Sequence, residues 1–218
     1  GLFMEFVKCV TVGDEGVGKT SLLMTYGSGH FPENSCPTVF DSYSSTVEHR
    51  GKLTGLQLWD TSGEENLAKV RPLSYPNTDI FLLCFALDQA QSLHAVETRW
   101  VPELRSHLPT VPIILVGTKS DHAPADASFG LVGEARSLVR KLGLQGYYET
   151  SALLHTGLDA CFEAAIDVAL VYKSREAAAA AAAAETTTAA SSKCSPKELL
   201  SPTTHSVLIV LLCFSIEA

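Results

Sequence analysis

The sequence has little positive charge, and the little it has is not clustered. It holds 16 lysines and arginines against 24 aspartates and glutamates, which gives a formal net charge of -8. A nucleic-acid binder needs a basic surface to neutralise phosphates. We therefore expect no nucleic-acid partner.

The cysteines and histidines form no ligand pattern. The six cysteines lack C-x-x-C spacing, and the seven histidines are dispersed along the chain. Zinc sites and disulfide frameworks depend on such spacing, so we expect neither, and a reducing compartment is the default. No secretory signal is evident, and we interpret Gly1–Phe3 as an extension before a start at Met4. The apolar run Val207–Phe214 is less than half as long as a membrane span.

Apolar runs alternate with helix-like segments over residues 4–172. That alternation is typical of a parallel sheet covered on both faces. Strands are predicted at Phe6–Val12, Ser42–His49, Leu53–Trp59, Asp79–Leu87, Val111–Val116 and Tyr147–Glu149. Helices are predicted at Lys19–Tyr26, Ser92–Ser106, Gly130–Leu142 and Thr156–Tyr172. A hairpin turn at Arg50–Lys52 supplies one antiparallel pairing. We expect a doubly wound α/β fold with a mostly parallel six-stranded sheet and one antiparallel edge strand.

The composition changes after Tyr172. The alanine run Ala177–Ala184 precedes Thr/Ser-rich sequence containing Ser-Pro pairs. Alanine favours helix, but a run this short cannot stand alone, and the Ser/Thr/Pro part has too little apolar surface to pack. We predict one domain over residues 4–172, then a low-complexity linker and a short apolar tail over 173–218.

The segment Gly13–Thr20 fits the pattern G-x-x-x-x-G-K-[ST] between the first predicted strand and the first predicted helix. Its glycines let the backbone bend so that successive N–H groups cradle phosphate oxygens. Lys19 would add positive charge at the β- and γ-phosphates, and the Thr20 hydroxyl would ligate Mg²⁺. The pattern predicts a P-loop NTPase, with a glycine-rich turn and a surface lysine as the alternative. The residues assigned to the cradle are Glu15, Gly16, Val17, Gly18, Lys19, Thr20 and Ser21.

Three further segments follow predicted strands, at the sheet edge where α/β proteins bind ligands. After the third strand, Asp60 can hold Mg²⁺ through water, and the Gly63 N–H can meet a γ-phosphate. After the fifth strand, Asp121 can accept the N1–H and the exocyclic amine of guanine, a donor pair that adenine lacks. After the sixth, the Ala152 N–H can donate to the guanine O6. The residues assigned to the base site are Thr118, Lys119, Asp121, Ser151 and Ala152.

With these motifs in place, the chain resembles the Ras superfamily of small GTPases, and within it the Rho family, on the Rac-like side. The resemblance covers about residues 4–172. The phrases that carry it are Lys8–Asp14, Phe31–Pro32, Pro37–Asp41, Arg71–Tyr75, Asn77–Phe85, Trp100–Glu103 and Pro112–Lys119.

The resemblance implies further roles. Thr38 would be the second Mg²⁺ ligand, and Phe31 would pack edge-on against guanine. Thr38–Tyr43 would contact effector proteins, and Gly63–Tyr75 would form the second mobile switch. Trp59 would lie on the face used by exchange factors, although a half-buried strand aromatic is equally compatible with the sequence. GTP or GDP and Mg²⁺ are the implied cofactors, and roles around actin and cell shape are implied by association.

Two acidic residues depart from the family pattern. Glu64 replaces the glutamine that orients the attacking water, and a carboxylate cannot donate to the γ-phosphate. Glu15 replaces a glycine beside the γ-phosphate, on the route of an arginine finger worth about 10³–10⁵ in rate. We expect slow hydrolysis, with Glu64, Lys19 and Gly63 as the catalytic set, and a weak response to activating proteins. Glu64 acting as a base, and both acids facing solvent without effect, are the alternatives.

Other departures lie in the first switch, the second switch and the tail. Ser35 stands where the family has an aromatic lid, the second switch has lost much of its usual pattern, and a helical insert typical of Rho proteins is missing near residues 122–130.

Cys213–Ile216 resembles a prenylation box but two residues follow it, so no prenyl group is expected. Acylation of Cys194 or Cys213 stays open, as does membrane contact. The expected location is cytoplasmic, with peripheral attachment at the plasma membrane left open.

The leading hypothesis is a guanine-nucleotide switch that hydrolyses GTP slowly and engages effectors and exchange factors through two loops. The rival is a non-catalytic module that is constitutively GTP-bound or defective in nucleotide binding. An ATP-using P-loop enzyme is disfavoured by Asp121 and Ala152.

Overall fold

The computed structural model describes residues 4–32, 38, 40–122 and 125–192. The chain divides into two units, Gly1–Ala177 and Ala178–Ala218. The first unit holds the sheet and the candidate site. The described residues of the second unit end at Ser192, and they are helical. The expectations for Ser35, Cys194 and the terminal apolar run lie outside the described residues.

The described elements alternate between strand and helix. The strands are β1 (Glu5–Gly13), β2 (Phe40–His49), β3 (Lys52–Thr61), β4 (Ile80–Ala86), β5 (Ile113–Thr118) and β6 (Gly146–Glu149). The helices are α1 (Lys19–Ser28), α2 (Ala90–Ala95), α3 (Val101–His107), α4 (Ala125–Leu142) and α5 (Leu158–Ser192). A π-helical turn at Val96–Trp100 joins α2 to α3, and 3₁₀ turns occur at Glu65–Leu67 and Arg71–Ser74.

The six strands form one sheet in the order β2-β3-β1-β4-β5-β6. Every neighbouring pair is parallel except β2 and β3, which confirms the predicted fold class. His49 pairs with Lys52 across a two-residue turn whose residues, Arg50 and Gly51, have φ of 49° and 75°. Positive φ at both central positions is the geometry that tight hairpins require, so the predicted hairpin is present.

Strand β4 shows why the sheet needs cover on both faces, because all seven of its residues are buried. Its side chains alternate between two apolar cores. Ile80, Leu82 and Cys84 lie in the core that also holds Leu22 and Leu23 of α1 and Phe162 of α5. Phe81, Leu83 and Phe85 lie in the core that holds Val96, Trp100, Leu104 and Leu138. The two layers fix the sheet, and with it the loops at its carboxyl edge.

Two predicted helix boundaries were wrong. Helix α4 begins at Ala125 rather than Gly130, and α5 continues to Ser192 rather than ending at Tyr172. In the second case a helix already formed by packed residues extends into the alanine run. Adding a residue to an existing helix avoids the cost of nucleation, and alanine has the highest helix propensity. No helix among the described residues is long and apolar enough to cross a membrane.

Candidate nucleotide-binding site

The loops after β1, β3, β5 and β6 meet at one edge of the sheet, where two cavities adjoin. One has a volume of about 360 Å³ and is lined by the loop after β1 together with Thr38, Gly63 and Glu64. The other has a volume of about 250 Å³ and is lined by Phe31, Asp121 and the loop after β6. Gly18, Ser21 and Lys119 line both cavities. The structure therefore brings most of the predicted phosphate and base residues together at this edge, whereas Val17 and Ser151 are fully buried and line neither cavity.

The loop after β1 is bent at its glycines. Gly16 and Gly18 have φ of 73° and 94°, values in the left-handed region that only glycine adopts without strain. Gly18 caps helix α1, whose first residue is Lys19, so free N–H groups of the first turn lie beside the cavity. The Thr118 hydroxyl lies within hydrogen-bond distance of the carbonyl oxygens of Val17 and Phe85, and its single proton can be donated to either, which ties the loop to β4. Thr118 is thus observed as a brace behind the loop.

Lys19 lies across the loop and is almost fully buried. Its Nζ donates to the carbonyl oxygens of Gly13 and Asp14 at 2.8 and 2.7 Å. Desolvation lowers the pKa of Lys19, and the negative charges of Asp60 and Asp14 partly oppose that shift. A buried ammonium lining the larger cavity is a strong attraction for an anion, since little solvent screens it.

Three predicted metal ligands meet beside this cavity, which two of them, Thr20 and Thr38, line. The Thr20 hydroxyl donates to Asp60 Oδ2 at 2.6 Å and lies 2.9 Å from the Thr38 hydroxyl. Asp60 Oδ1 is buried and has no hydrogen-bond partner among the described residues. Burial raises the pKa of Asp60, against the Thr20 hydrogen bond and the charge of Lys19. An unpartnered carboxylate oxygen beside two hydroxyls is the hard oxygen set that Mg²⁺ prefers, so these residues fit the predicted ion.

Gly63 lies directly against the phosphate loop. A Cβ at this position would fall 2.2 Å from Glu15 N and 2.3 Å from the carbonyl carbon of Asp14, so only glycine fits. Glu15 and Glu64 both line the phosphate cavity. Within the described residues, neither carboxylate has a hydrogen bond or an ion pair. The structure therefore places both departures from the family pattern beside the phosphate position.

The smaller cavity presents the carboxylate predicted to select guanine. Asp121 Oδ1 accepts from the Ser151 hydroxyl, and His122 Nε2 lies 3.3 Å from Oδ2. Lys119 extends along the cavity to Asp88, with its Nζ 3.3 Å from Asp88 Oδ2. Phe31 and Ala152 line the same cavity, as the prediction for the base site requires.

Several residues in and around the site were not predicted from the sequence. Asp88 lines the base cavity and pairs with Lys119, and Trp100 donates its indole N–H to Asp14 Oδ1 at 2.8 Å. Arg71 and Arg99 donate to carbonyls of the segment that contains Gly63. Arg71 and Trp100 were noted only as parts of family phrases, because nothing in their spacing shows contacts made across tens of residues.

A bent glycine loop at a helix N-terminus, with a base cavity beside it at the carboxyl edge of a parallel sheet, defines a P-loop nucleotide-binding protein. The model of the Ras family matches residues 8–170. The chain therefore belongs to the Ras family of small GTPases, and it is a GTP-binding switch by that membership. Members of this family bind guanine nucleotides with Mg²⁺ and act through effectors, exchange factors and activating proteins.

Proposed function

We propose that this protein is a Rho-like guanine-nucleotide switch that binds GTP or GDP with Mg²⁺ and hydrolyses GTP slowly. The observation that carries the proposal is the position of Glu15 and Glu64, two acidic residues that line the same cavity as Lys19. The residues expected to bind phosphate are present in this cavity. The two positions expected to accelerate hydrolysis carry acids instead of the family residues.

The physical reason lies in charge and in donors. Negative charge builds on the transferring phosphoryl group, and the protein stabilises it with cations and N–H groups. A carboxylate at position 64 supplies acceptors only, and its charge repels that group. Glu15 adds a second negative charge beside the same cavity and occupies space that a partner's arginine would need. Both effects slow hydrolysis while leaving Lys19 and the base site in place.

Mg²⁺ belongs to this proposal because Thr20, Thr38 and Asp60 meet around an unpartnered carboxylate oxygen. The ion would neutralise phosphate charge when bound. This chain's own contribution is the oxygen set and the nearby ammonium of Lys19.

Restoring the family residues should raise the rate of hydrolysis. We expect Glu64→Gln to increase the single-turnover rate by about 10-fold or more, since one lost transition-state donor typically costs about 10²–10³. Glu15→Gly should add to this chiefly in the presence of an activating protein. The measurement is release of phosphate from pre-loaded GTP. Glu48→Gln, which changes an exposed acid of β2 at the end of the sheet away from the site in the same way, serves as the control.

A wild-type rate as fast as that of the Glu64→Gln variant would contradict the proposal. The non-catalytic alternative is favoured by the same two acids and is separated by extracting the nucleotide from purified protein. Bound GTP supports the slow switch, bound GDP supports a cycling enzyme, and no nucleotide supports a binding-defective module.

The partners and location are also proposals. Effectors would contact Thr38–Tyr43 and Gly63–Tyr75, and exchange factors would bind the face that holds Trp59. The Rho-like phrases in Arg71–Tyr75 support Rho-type partners with roles around actin. We propose a cytoplasmic location, with acylation of Cys194 or Cys213 as the route to the plasma membrane, and labelling with a palmitate analogue tests it.

A further inference from the structure

Three consecutive carbonyl groups of the second switch accept hydrogen bonds from two arginines. Arg71 Nε donates to Ser62 O at 2.8 Å, and its Nη2 donates to Glu64 O at 2.9 Å. Arg99 Nη2 donates to Gly63 O at 3.2 Å. The backbone on both sides of Gly63 is therefore held by two guanidinium groups, one from Arg71 later in the same switch and one from Arg99 between α2 and α3.

The side chains of both arginines contact the same aromatic ring, that of Trp100. The guanidinium carbons of Arg71 and Arg99 lie 4.5 and 4.6 Å from the centroid of this ring. Trp100 is fully buried and donates its indole N–H to Asp14 of the phosphate loop. Arg99 also lies 3.5 Å from Asp14 Oδ1. One cluster thus contacts the phosphate loop and the second switch together.

Arg71 is fixed from behind by an acid on α3. Its Nη1 donates to both oxygens of Glu103 at 2.8 Å, and the Tyr75 hydroxyl donates to Glu103 Oε1 at 2.7 Å. Arg99 and Trp100 both lie in the π-helical turn between α2 and α3. Such turns are rare within helices and occur frequently at functional sites.

The peptide geometry links these contacts to the nucleotide. A trans peptide is planar, so its N–H points opposite to its C=O. Holding Ser62 O therefore sets the direction of the Gly63 N–H, the group predicted to meet the γ-phosphate. Glycine is the most flexible residue, and a single anchor would leave its second peptide plane free. Two contacts hold that second plane: Arg99 donates to Gly63 O, and the Glu64 N–H donates to the Ser62 hydroxyl oxygen at 3.2 Å.

We propose that Arg99, acting with Arg71 on the Trp100 ring, is a positioning residue that makes the site selective for the triphosphate over the diphosphate. The cluster holds the Gly63 N–H toward the γ-phosphate position and touches no group that contacts the base. This inference rests on the proposed function. It adds a determinant of nucleotide preference that lies outside both cavities' binding loops.

The test is the ratio of the dissociation constants for a non-hydrolysable GTP analogue and for GDP. Arg99 is the residue to change, because its side chain is 25% exposed whereas that of Arg71 is 0% exposed. We expect Arg99→Ala to weaken binding of the GTP analogue by about 5- to 10-fold, the order produced by the loss of one hydrogen bond of typical net strength. Binding of GDP should change by less than about twofold, since GDP has no γ-phosphate to meet the Gly63 N–H.

Arg99→Lys and Arg105→Ala complete the experiment. Lysine keeps the charge beside Asp14 but lacks the planar fork that stacks and donates together, so it should restore only part of the preference. Arg105, on α3, donates to the carbonyls of Pro109 and Val111 and contacts neither switch nor loop, so its removal should leave the ratio unchanged. If Arg99→Ala fails to fold, Arg99→Gln takes its place.

The possible results distinguish this inference from the proposed function on which it rests. Equal weakening of both nucleotides, or no change in either, would overturn the positioning role while leaving the switch intact. Wild-type protein that binds neither nucleotide would overturn both.

Discussion

We expect the choice of base to depend on one carboxylate, Asp121. Its Oδ1 accepts from the Ser151 hydroxyl, and its Oδ2 lies 3.3 Å from His122 Nε2. It is therefore held in place before any base arrives. We expect Asp121→Asn to weaken GTP and GDP binding by about 10- to 100-fold, because an amide presents its own N–H donors to the donors of guanine. Isothermal titration calorimetry measures this change.

The matched control is Asp167→Asn. Asp167 is also a paired carboxylate, bound by His49 and Arg50, but it lies outside both nucleotide cavities. Equal losses in the two variants would show that the effect of Asp121 is structural rather than a matter of base recognition.

At the scale of single residues, the sequence identified the groups that belong to local patterns. Lys19 and Thr20 follow from the loop pattern, and Asp121 follows from its position after a strand. The contact of Trp100 with Asp14 joins positions 86 residues apart, and no spacing rule encodes it. Residues that support a site from a distant helix stay hidden until the fold is known.

At the scale of elements, the strands were easier to predict than the ends of helices. β1 and β4 read as apolar runs because both faces are covered, and their observed bounds lie within one residue of the prediction at each end. The end of α5 was missed because the alanine run was judged too short to form a helix alone, whereas it continues a helix that packed residues have already formed.

A proline in the alanine run tests this extension. Ala180 is exposed within α5, so Ala180→Pro should disrupt the helix locally at a cost of about 3 kcal/mol without touching a core. Far-ultraviolet circular dichroism should show reduced helix content, with GDP affinity unchanged. Ala180→Ser, which keeps a backbone N–H, is the control. Unchanged helix content in the proline variant would mean that residues beyond Tyr172 are not helical in solution.

At the scale of the whole molecule, bound nucleotide should stabilise the folded state. A ligand present at a thousand times its dissociation constant stabilises the native state by about 4 kcal/mol. For a domain of this size that corresponds to a rise in melting temperature of roughly 10 °C. We expect this rise with GDP and Mg²⁺ in differential scanning fluorimetry. ATP at the same concentration should give little shift, since adenine lacks the donor pair that Asp121 accepts. A matching rise with ATP would show that the base cavity does not discriminate.

Trp100 lies against the phosphate loop, so its intrinsic fluorescence should report nucleotide binding. The chain has two tryptophans, and Trp100 shares its indole proton with Asp14 while two guanidinium groups lie over its ring. Indole emission responds to nearby charge and to its proton acceptor. A shift of the loop on nucleotide loading would therefore alter the intrinsic fluorescence, and replacing Trp59 by phenylalanine would isolate that signal. Exchange could then be followed in real time without attaching a dye.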